Sequence, residues 1–484
     1  MALPRISWHR TGSAPLAENV LPAAYHGFIK NRSKDLLTET ALKDIVLEPP
    51  VSELMSVLKE VGTPFVEAAE SPVEEAVGLL KFAAEVEHAL MVQYLYAAAS
   101  IQRDTPEGND CWTKIMSVAA QEMGHLISVQ NLLLLVGGPA NFHFGRDSIR
   151  ATNPENPIPL VLECISKRSL TKYIAAEMPA HIDDATLSKR VAQLITDLGD
   201  IKLHRVGALY AKLFWLFQPN DDPFPPMNLT PDPDAGLVPY WHLKPTDFKA
   251  RDVLEKYKIS PDEWFRGSVR KFILETVDSA ASACNLIADI SEQGEGLSVE
   301  HDSHFYEFIE LLDSFEGEKL KVEPLPEIDL TKSPIPISSN QYAAYWVELM
   351  DIRYSLLITD VWHAAAVPIG HQRKEIIKLA YDNMKFLTLL IAQLLLLRKE
   401  SNIKDAAPLF QLLYEDFPDT DQLRCKRHRD LLDKQKKVID NIKNSAEFQE
   451  CADGECTPVD FNGFDLIGNI EQNDLGRTSS FPAI

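Results

Sequence analysis

Between Ser71 and Gly138 the chain carries two long stretches in which apolar residues recur with a period close to 3.6. The first, VEEAVGLLKFAAEVEHALMVQYLYAAASI, opens after Ser71-Pro72, a capping residue followed by a proline at the first turn. It predicts a helix to about residue 101. The loop QRDTPEGNDC breaks this pattern, and a second helix is predicted from about Trp112 to Val136, stopped by Gly137-Gly138-Pro139. Residues 139–160 read as a long crossover. Shorter helices follow near 161–177 and 185–217, then a proline-rich insertion over 218–247. Helicity returns over 264–293, where EQGEG supplies the stop, and again from Ser303. A proline-rich linker, Pro324–Pro336, precedes two further long helices at about 340–366 and 371–399. Strand-like alternation is scarce and no internal repeat is visible. The fold class expected is all-α.

Four segments follow from this pattern. Residues 1–70 form an N-terminal arm with one or two short helices, and 71–323 form a helical bundle. Residues 324–447 form a C-terminal helical extension packed on that bundle, and 448–484 a polar, loosely held tail.

Charge narrows the range of partners. The 484 residues include 71 acidic against 48 basic ones, a formal net charge of −23, which disfavours nucleic acid and anionic membranes. The opening MALPRISWHRTGSAPL has no apolar core of a secretory signal. The longest apolar run, FLTLLIAQLLLL over 386–397, is shorter than the roughly 20 residues a bilayer requires, so it is expected to be a buried helix. Six cysteines without a CxxC pair suggest free thiols and a cytoplasmic protein, with a Cys451–Cys456 bridge as the alternative for the tail.

The chemistry lies in the two long helices. On a helical wheel Glu122 shares an apolar stripe with Ile115, Ala119, Leu126 and Val129, and His125 sits one turn further on the same side. Glu87 shares a face of the first helix with Ala83, Leu90, Met91 and Tyr94. Burying an unpaired carboxylate costs several kcal/mol, so convergent buried Glu and His side chains call for a cation. Glu and His at i and i+3 is how helices of di-metal carboxylate bundles present ligands inward. Further ligands are sought in Glu292 and Glu295 of DISEQGEG, in His304, and in Glu177 of KYIAAEMPAH. Each has an ordinary alternative: Glu87 on a helix rim made polar by Glu85 and His88, EQGEG as a solvated terminus, His304 as a core or cap histidine. Carboxylate and imidazole ligands suit iron, manganese or zinc. No phosphate-binding loop, dinucleotide fingerprint or nucleophile elbow is present.

EVEHALMVQYLYAAASI, AAQEMGHLISVQNLLLLVGG and ISEQGEG followed by SHFYEF together resemble the ferritin-like family of the iminophenyl-pyruvate dimer synthase of violacein biosynthesis. The resemblance covers roughly residues 71–420. It implies a ferritin-like antiparallel bundle with additional C-terminal helices and a metal site formed by Glu87, Glu122, His125, Glu177, Glu292 and His304. The chain departs from the family in HRVGALY, where Ala208 takes the place of a usual Glu, with His204 one turn earlier.

The function expected is that of a metal-dependent oxidative enzyme of secondary metabolism. It would hold one or two iron ions and act on a small amino-acid-derived or other natural-product substrate by dehydrogenation, oxygenation or oxidative coupling. Tyr94 is the candidate catalytic side chain, lining the substrate cavity. Dioxygen, an electron donor and a second copy of the chain are the further partners considered. A mononuclear metal-dependent hydrolase or lyase, and a non-enzymatic scaffold with a degenerate site, stand as alternatives.

Overall fold

The computed structural model describes residues 6–9, 63–67, 69–146, 161–179, 182, 184–199, 206–217, 242–264, 277–293, 303–329, 338–414, 417–452 and 465–474. Its main helices, in chain order, are α1 (Pro72–Ala99), α2 (Pro106–Gly137), α3 (Lys167–Ala176), α4 (Ala185–Asp197), α5 (Val206–Phe217), α6 (Arg251–Tyr257), α7 (Ala280–Gln293), α8 (His304–Glu316), α9 (Gln341–Ala366), α10 (His371–Glu400), α11 (Asp421–Lys443) and α12 (Ala446–Ala452). The chain is all-α, as its periodicity predicts. Two small antiparallel pairings accompany the helices: β1 (Ile6–His9) with β2 (Thr63–Val66), and β3 (Val161–Leu162) with β4 (Ile328–Asp329). The first pairing joins the two ends of the N-terminal arm, and the one or two short helices expected between them lie outside the described residues. Four-residue strands are too short to show an alternation in sequence.

Local chemistry sets the two central helices. Ser71 caps α1, its hydroxyl accepting from the Glu74 amide at 3.2 Å, with Pro72 in the first turn. Thr105 and Pro106 repeat the device for α2, which therefore starts six residues before the position its apolar period suggests. Gly108 belongs to that start. A Cβ there would lie 2.2 Å from the Gln102 carbonyl oxygen, so a side chain would push the loop away from the helix. At the other end Gly138, at φ 73°, turns the chain out of α2.

α1 packs against α2 and α5, and α7 packs against both α2 and α5, closing a four-helix ring. α3 and α8 pack on each other, and α8 also lies on α2. The segment predicted as one helix over 185–217 is two, because Gly199 adopts φ 73° just beyond α4. α9 packs against α10 and α11.

α1 is buried on all sides, Glu85 and His88 included. The alternative of a polar rim beside Glu87 does not hold. His88 donates from Nδ1 to the Phe144 carbonyl at 2.9 Å and accepts the Tyr354 hydroxyl at Nε2, while Glu85 accepts from His143 at 2.7 Å. Burial, with the charge of Arg146 nearby, holds His88 down to about 3, so it stays neutral.

The C-terminal helices differ from expectation in two places. α10 matches the helix predicted over 371–399 and, unlike the run at 386–397 taken alone, is long and apolar enough to cross a membrane by length and composition. Leu390, Leu394 and Leu397 are buried, whereas Leu389 is 49% exposed, so the run expected to be buried is buried on one face only. In the stretch expected to be loosely held, residues 465–474 form a helix that docks through Leu466, Ile467 and Ile470. Buried Arg353 donates from Nη2 to both oxygens of Asp474, at 2.7 and 2.8 Å. Cys111, Cys164, Cys284 and Cys425 are free thiols, while the side chains of Cys451 and Cys456 lie outside the described residues.

Candidate metal centre

Five of the six predicted ligands converge on one buried cluster. Glu87 comes from the middle of α1, Glu122 and His125 from α2, Glu177 from the C-cap of α3 and His304 from the first residue of α8. All five are fully buried. Glu292 lies on α7, but its side chain is outside the described residues, as are Glu295, His204 and the side chain of Ala208.

Glu122 is the centre of the group. Its Oε2 stands 3.1 Å from His125 Nδ1 and its Oε1 stands 3.1 Å from His304 Nδ1. Beyond each imidazole lies a further carboxylate: Glu87 Oε2 is 3.6 Å from His125 Nδ1, and Glu177 Oε2 is 3.8 Å from His304 Nδ1. The result is two Glu–His–Glu triads, Glu87/Glu122/His125 and Glu122/Glu177/His304, that share one carboxylate. Within each triad the donor atoms lie within 4.8 Å of one another.

The outer carboxylates are held by tyrosines. Tyr210 on α5 donates its hydroxyl to Glu87 Oε1, and Tyr94 on α1 donates to Glu177 Oε1. Each glutamate thus has one oxygen tied to a phenol and the other turned inward. His304 is oriented as well: its Nε2 donates to Gln121 Oε1 at 3.1 Å, leaving a lone pair on Nδ1 toward the cluster.

Glu87 Oε2, Glu122 Oε1, Glu177 Oε2 and His304 Nδ1 are buried without a hydrogen bond. Leaving one such polar atom unsatisfied costs about 1–3 kcal/mol, more where it is charged. Four of them aimed at the same interior fit a site built to receive cations, with mixed O and N donors that suit iron, manganese or zinc.

Protons take the cations' place otherwise. Burial pushes the Glu87 carboxyl up to about 7, and burial together with the Glu122 charge pushes Glu177 up to about 7. Burial alone would depress both histidines. The carboxylates of Glu122 and Glu87 outweigh it and hold His125 up to about 9, while Glu122 and Glu177 hold His304 up to about 10. Burial also favours a neutral Glu122, but the two imidazoles draw it below the ordinary carboxylate range. Glu122 is the counter-ion of both rings.

Residues 80–313 match the Ferritin-like family model. That region contains all five converging candidate ligands and both tyrosines. Comparison with curated proteins and with solved structures gives no match. The narrower likeness to the iminophenyl-pyruvate dimer synthase family rests on the sequence blocks alone.

Tyr94 differs from its expected place. Its hydroxyl donates to Glu177, one of the candidate ligands, and it is not among the residues that line the apolar cleft shared with α9 and α10. Two participants escaped the sequence reading. Tyr210 stands two residues after Ala208, in a helix apolar enough to hide it. Gln121 was legible in principle, since an amide beside the Glu122 stripe needs a partner once buried.

On flanking positions of the same helices the ferritin-like domain borders an apolar cleft of about 340 Å³ shared with α9 and α10. Met91, one turn after Glu87, and Met123, next to Glu122, line it, facing Leu357 and Met384. Arg103, stacked over the Trp112 ring at 3.7 Å, also borders it.

Proposed function

We propose that the chain is a metal-dependent oxidative enzyme whose ferritin-like domain holds two ions, one in each triad, and acts on a small, largely apolar organic molecule. The observation that carries this reading is Glu122, which offers one oxygen to each Glu/His set. Iron or manganese bound there would supply one-electron and Lewis-acid chemistry. The chain's own residues do the rest. Glu87 and Glu177 provide outer carboxylates, Tyr210 and Tyr94 keep each turned inward, and Gln121 fixes the tautomer of His304. Complete burial of all five ligands keeps bulk water from the reacting centre.

The cleft supports an amino-acid-derived or other natural-product substrate with an aromatic or aliphatic body. Dioxygen as electron acceptor, with an external donor where the reaction requires one, completes the reading. A one-ion hydrolase or lyase would use a single triad, so stoichiometry separates the two.

The test is elemental analysis of chelator-free protein together with dioxygen uptake. About two iron or manganese ions per chain are expected, both lost in Glu122→Ala, with uptake stimulated by aromatic amines or imines. One ion per chain with no uptake supports the hydrolytic alternative. Absence of transition-metal binding at micromolar concentration would leave a scaffold.

A further inference from the structure

The apolar cleft is long and has two distinct ends. Asn131, near the end of α2, exchanges hydrogen bonds with the Ile259 backbone at 2.9 and 3.0 Å. Tyr381 on α10 donates its hydroxyl to the Trp264 carbonyl at 2.8 Å, so Trp264 and Tyr381 lie at the Ile127 end. At the other end the Gln102 amide donates to the Lys321 carbonyl at 3.0 Å, and Arg398, one turn after Leu395, donates to the Pro324 carbonyl. Residues 321–324 thus bring Leu395 to the end that holds Arg103 and Trp112. The cleft follows α2 for ~22 Å and α10, from Ile377 to Leu395, for ~27 Å. About 340 Å³ spread along that length describes a narrow slot, not a bowl.

Between the ends the polar side chains are turned to the protein. Thr388 returns its hydroxyl to the Met384 carbonyl at 3.1 Å, and Tyr354 donates to His88. Charge enters at one end: among the described residues lining the cleft, Arg103 alone is charged. Its guanidinium, held over Trp112, gives hydrogens from Nε and Nη2 to Asn109 Oδ1 at 3.2 and 3.0 Å. That fixes the plane of the fork and leaves the Nη1 hydrogens and the second Nη2 hydrogen for a ligand. The neighbouring acids have cations of their own, Asp104 facing Lys321 at 3.9 Å and Asp110 facing Lys114 at 3.4 Å.

We propose that the cleft binds a linear long-chain carboxylate, its methylene chain laid along α2 and α10 and its carboxylate on the free edge of Arg103. This names the class of organic molecule in the function proposed above, and it rests on taking the cleft as that molecule's place. Burial of an apolar chain supplies the affinity, and a guanidinium matches a carboxylate in shape as well as charge. A compact aromatic body would leave most of the slot unfilled.

Calorimetry of palmitate binding to the delipidated full chain tests the assignment. Affinity should rise about three- to fourfold with each methylene from octanoate upward, then level off once the slot is full. Arg103→Gln should weaken palmitate roughly tenfold and leave methyl palmitate, which keeps the chain and loses the charge, unchanged. Ala120→Trp should abolish binding of both. The chain-length series uses the wild-type protein, so the test stands if a variant fails to fold. No palmitate binding, affinity independent of chain length, or an Arg103→Gln effect equal for acid and ester overturns the proposal. So does an aromatic amine that binds where palmitate does not. Binding is read without turnover, which separates this inference from the oxidative reading. A chain that takes palmitate but no transition metal keeps the first and loses the second; one that loads metal and consumes dioxygen but refuses palmitate does the reverse.

Discussion

Glu122 can serve two ions because its neighbours are arranged in near-matching halves, each with a histidine, an outer glutamate and a tyrosine behind that glutamate. The halves differ at Gln121, which orients His304 alone. Gln121→Leu is therefore expected to weaken one ion by 10–100-fold and leave the other nearly unchanged, giving biphasic metal release in a chelator titration. Equal loss of both ions would show that Gln121 acts through the fold instead. The pH dependence has a definite sign. At pH 7 the metal-free cluster holds a proton on each histidine and about half a proton on each of Glu87 and Glu177. Ligation must expel them, so loading both triads at pH 7 should release roughly three protons. Affinity should fall steeply as pH drops, and calorimetry in buffers of different ionisation enthalpy measures the count.

Among the elements, those with clear punctuation were legible: Ser71-Pro72 opens α1 and Gly138 closes α2. Thr105-Pro106 carried the same message for α2, but the polar EGND that follows hid it beneath the apolar period. The helix over 465–474 was missed because its apolar face consists of Leu466, Ile467 and Ile470 alone, too short a pattern to outweigh polar surroundings. Its attachment depends on a partner far away in sequence. Asp474→Ala leaves the buried Arg353 guanidinium without its carboxylate, and breaking such a pair costs about 3–5 kcal/mol. Limited proteolysis should then cut within the last residues of the chain at low protease, before α9–α11 are attacked. An unchanged cleavage pattern would mean that Leu466, Ile467 and Ile470 suffice to hold the helix.

At the scale of the whole molecule, α1 and α2 border two environments on neighbouring faces, the charged cluster and an apolar cleft. The cleft runs along α2 from Trp112 to Ile127, roughly 22 Å at 1.5 Å per residue. If substrates reach the cluster through it, Ala120→Trp should lower substrate-stimulated dioxygen uptake at least tenfold and leave metal content unchanged. Full activity in that variant would place the approach on the far side, toward α3 and α8. α9 and α10 of the C-terminal extension form the outer wall of the cleft.

The helical class, the two ligand-bearing helices and the Glu122/His125 pair follow from sequence because they depend on local spacing, in which a 3.6-residue period places i and i+3 on one side. Tertiary structure alone decided that Glu177 and His304, from a helix C-cap and a helix N-terminus more than a hundred residues apart, meet across Glu122. It likewise decided that Tyr210 reaches Glu87, and that Glu85 and His88 are interior. Those outcomes depend on which helix faces cover which. That is settled by packing between segments distant along the chain, and no local pattern records it.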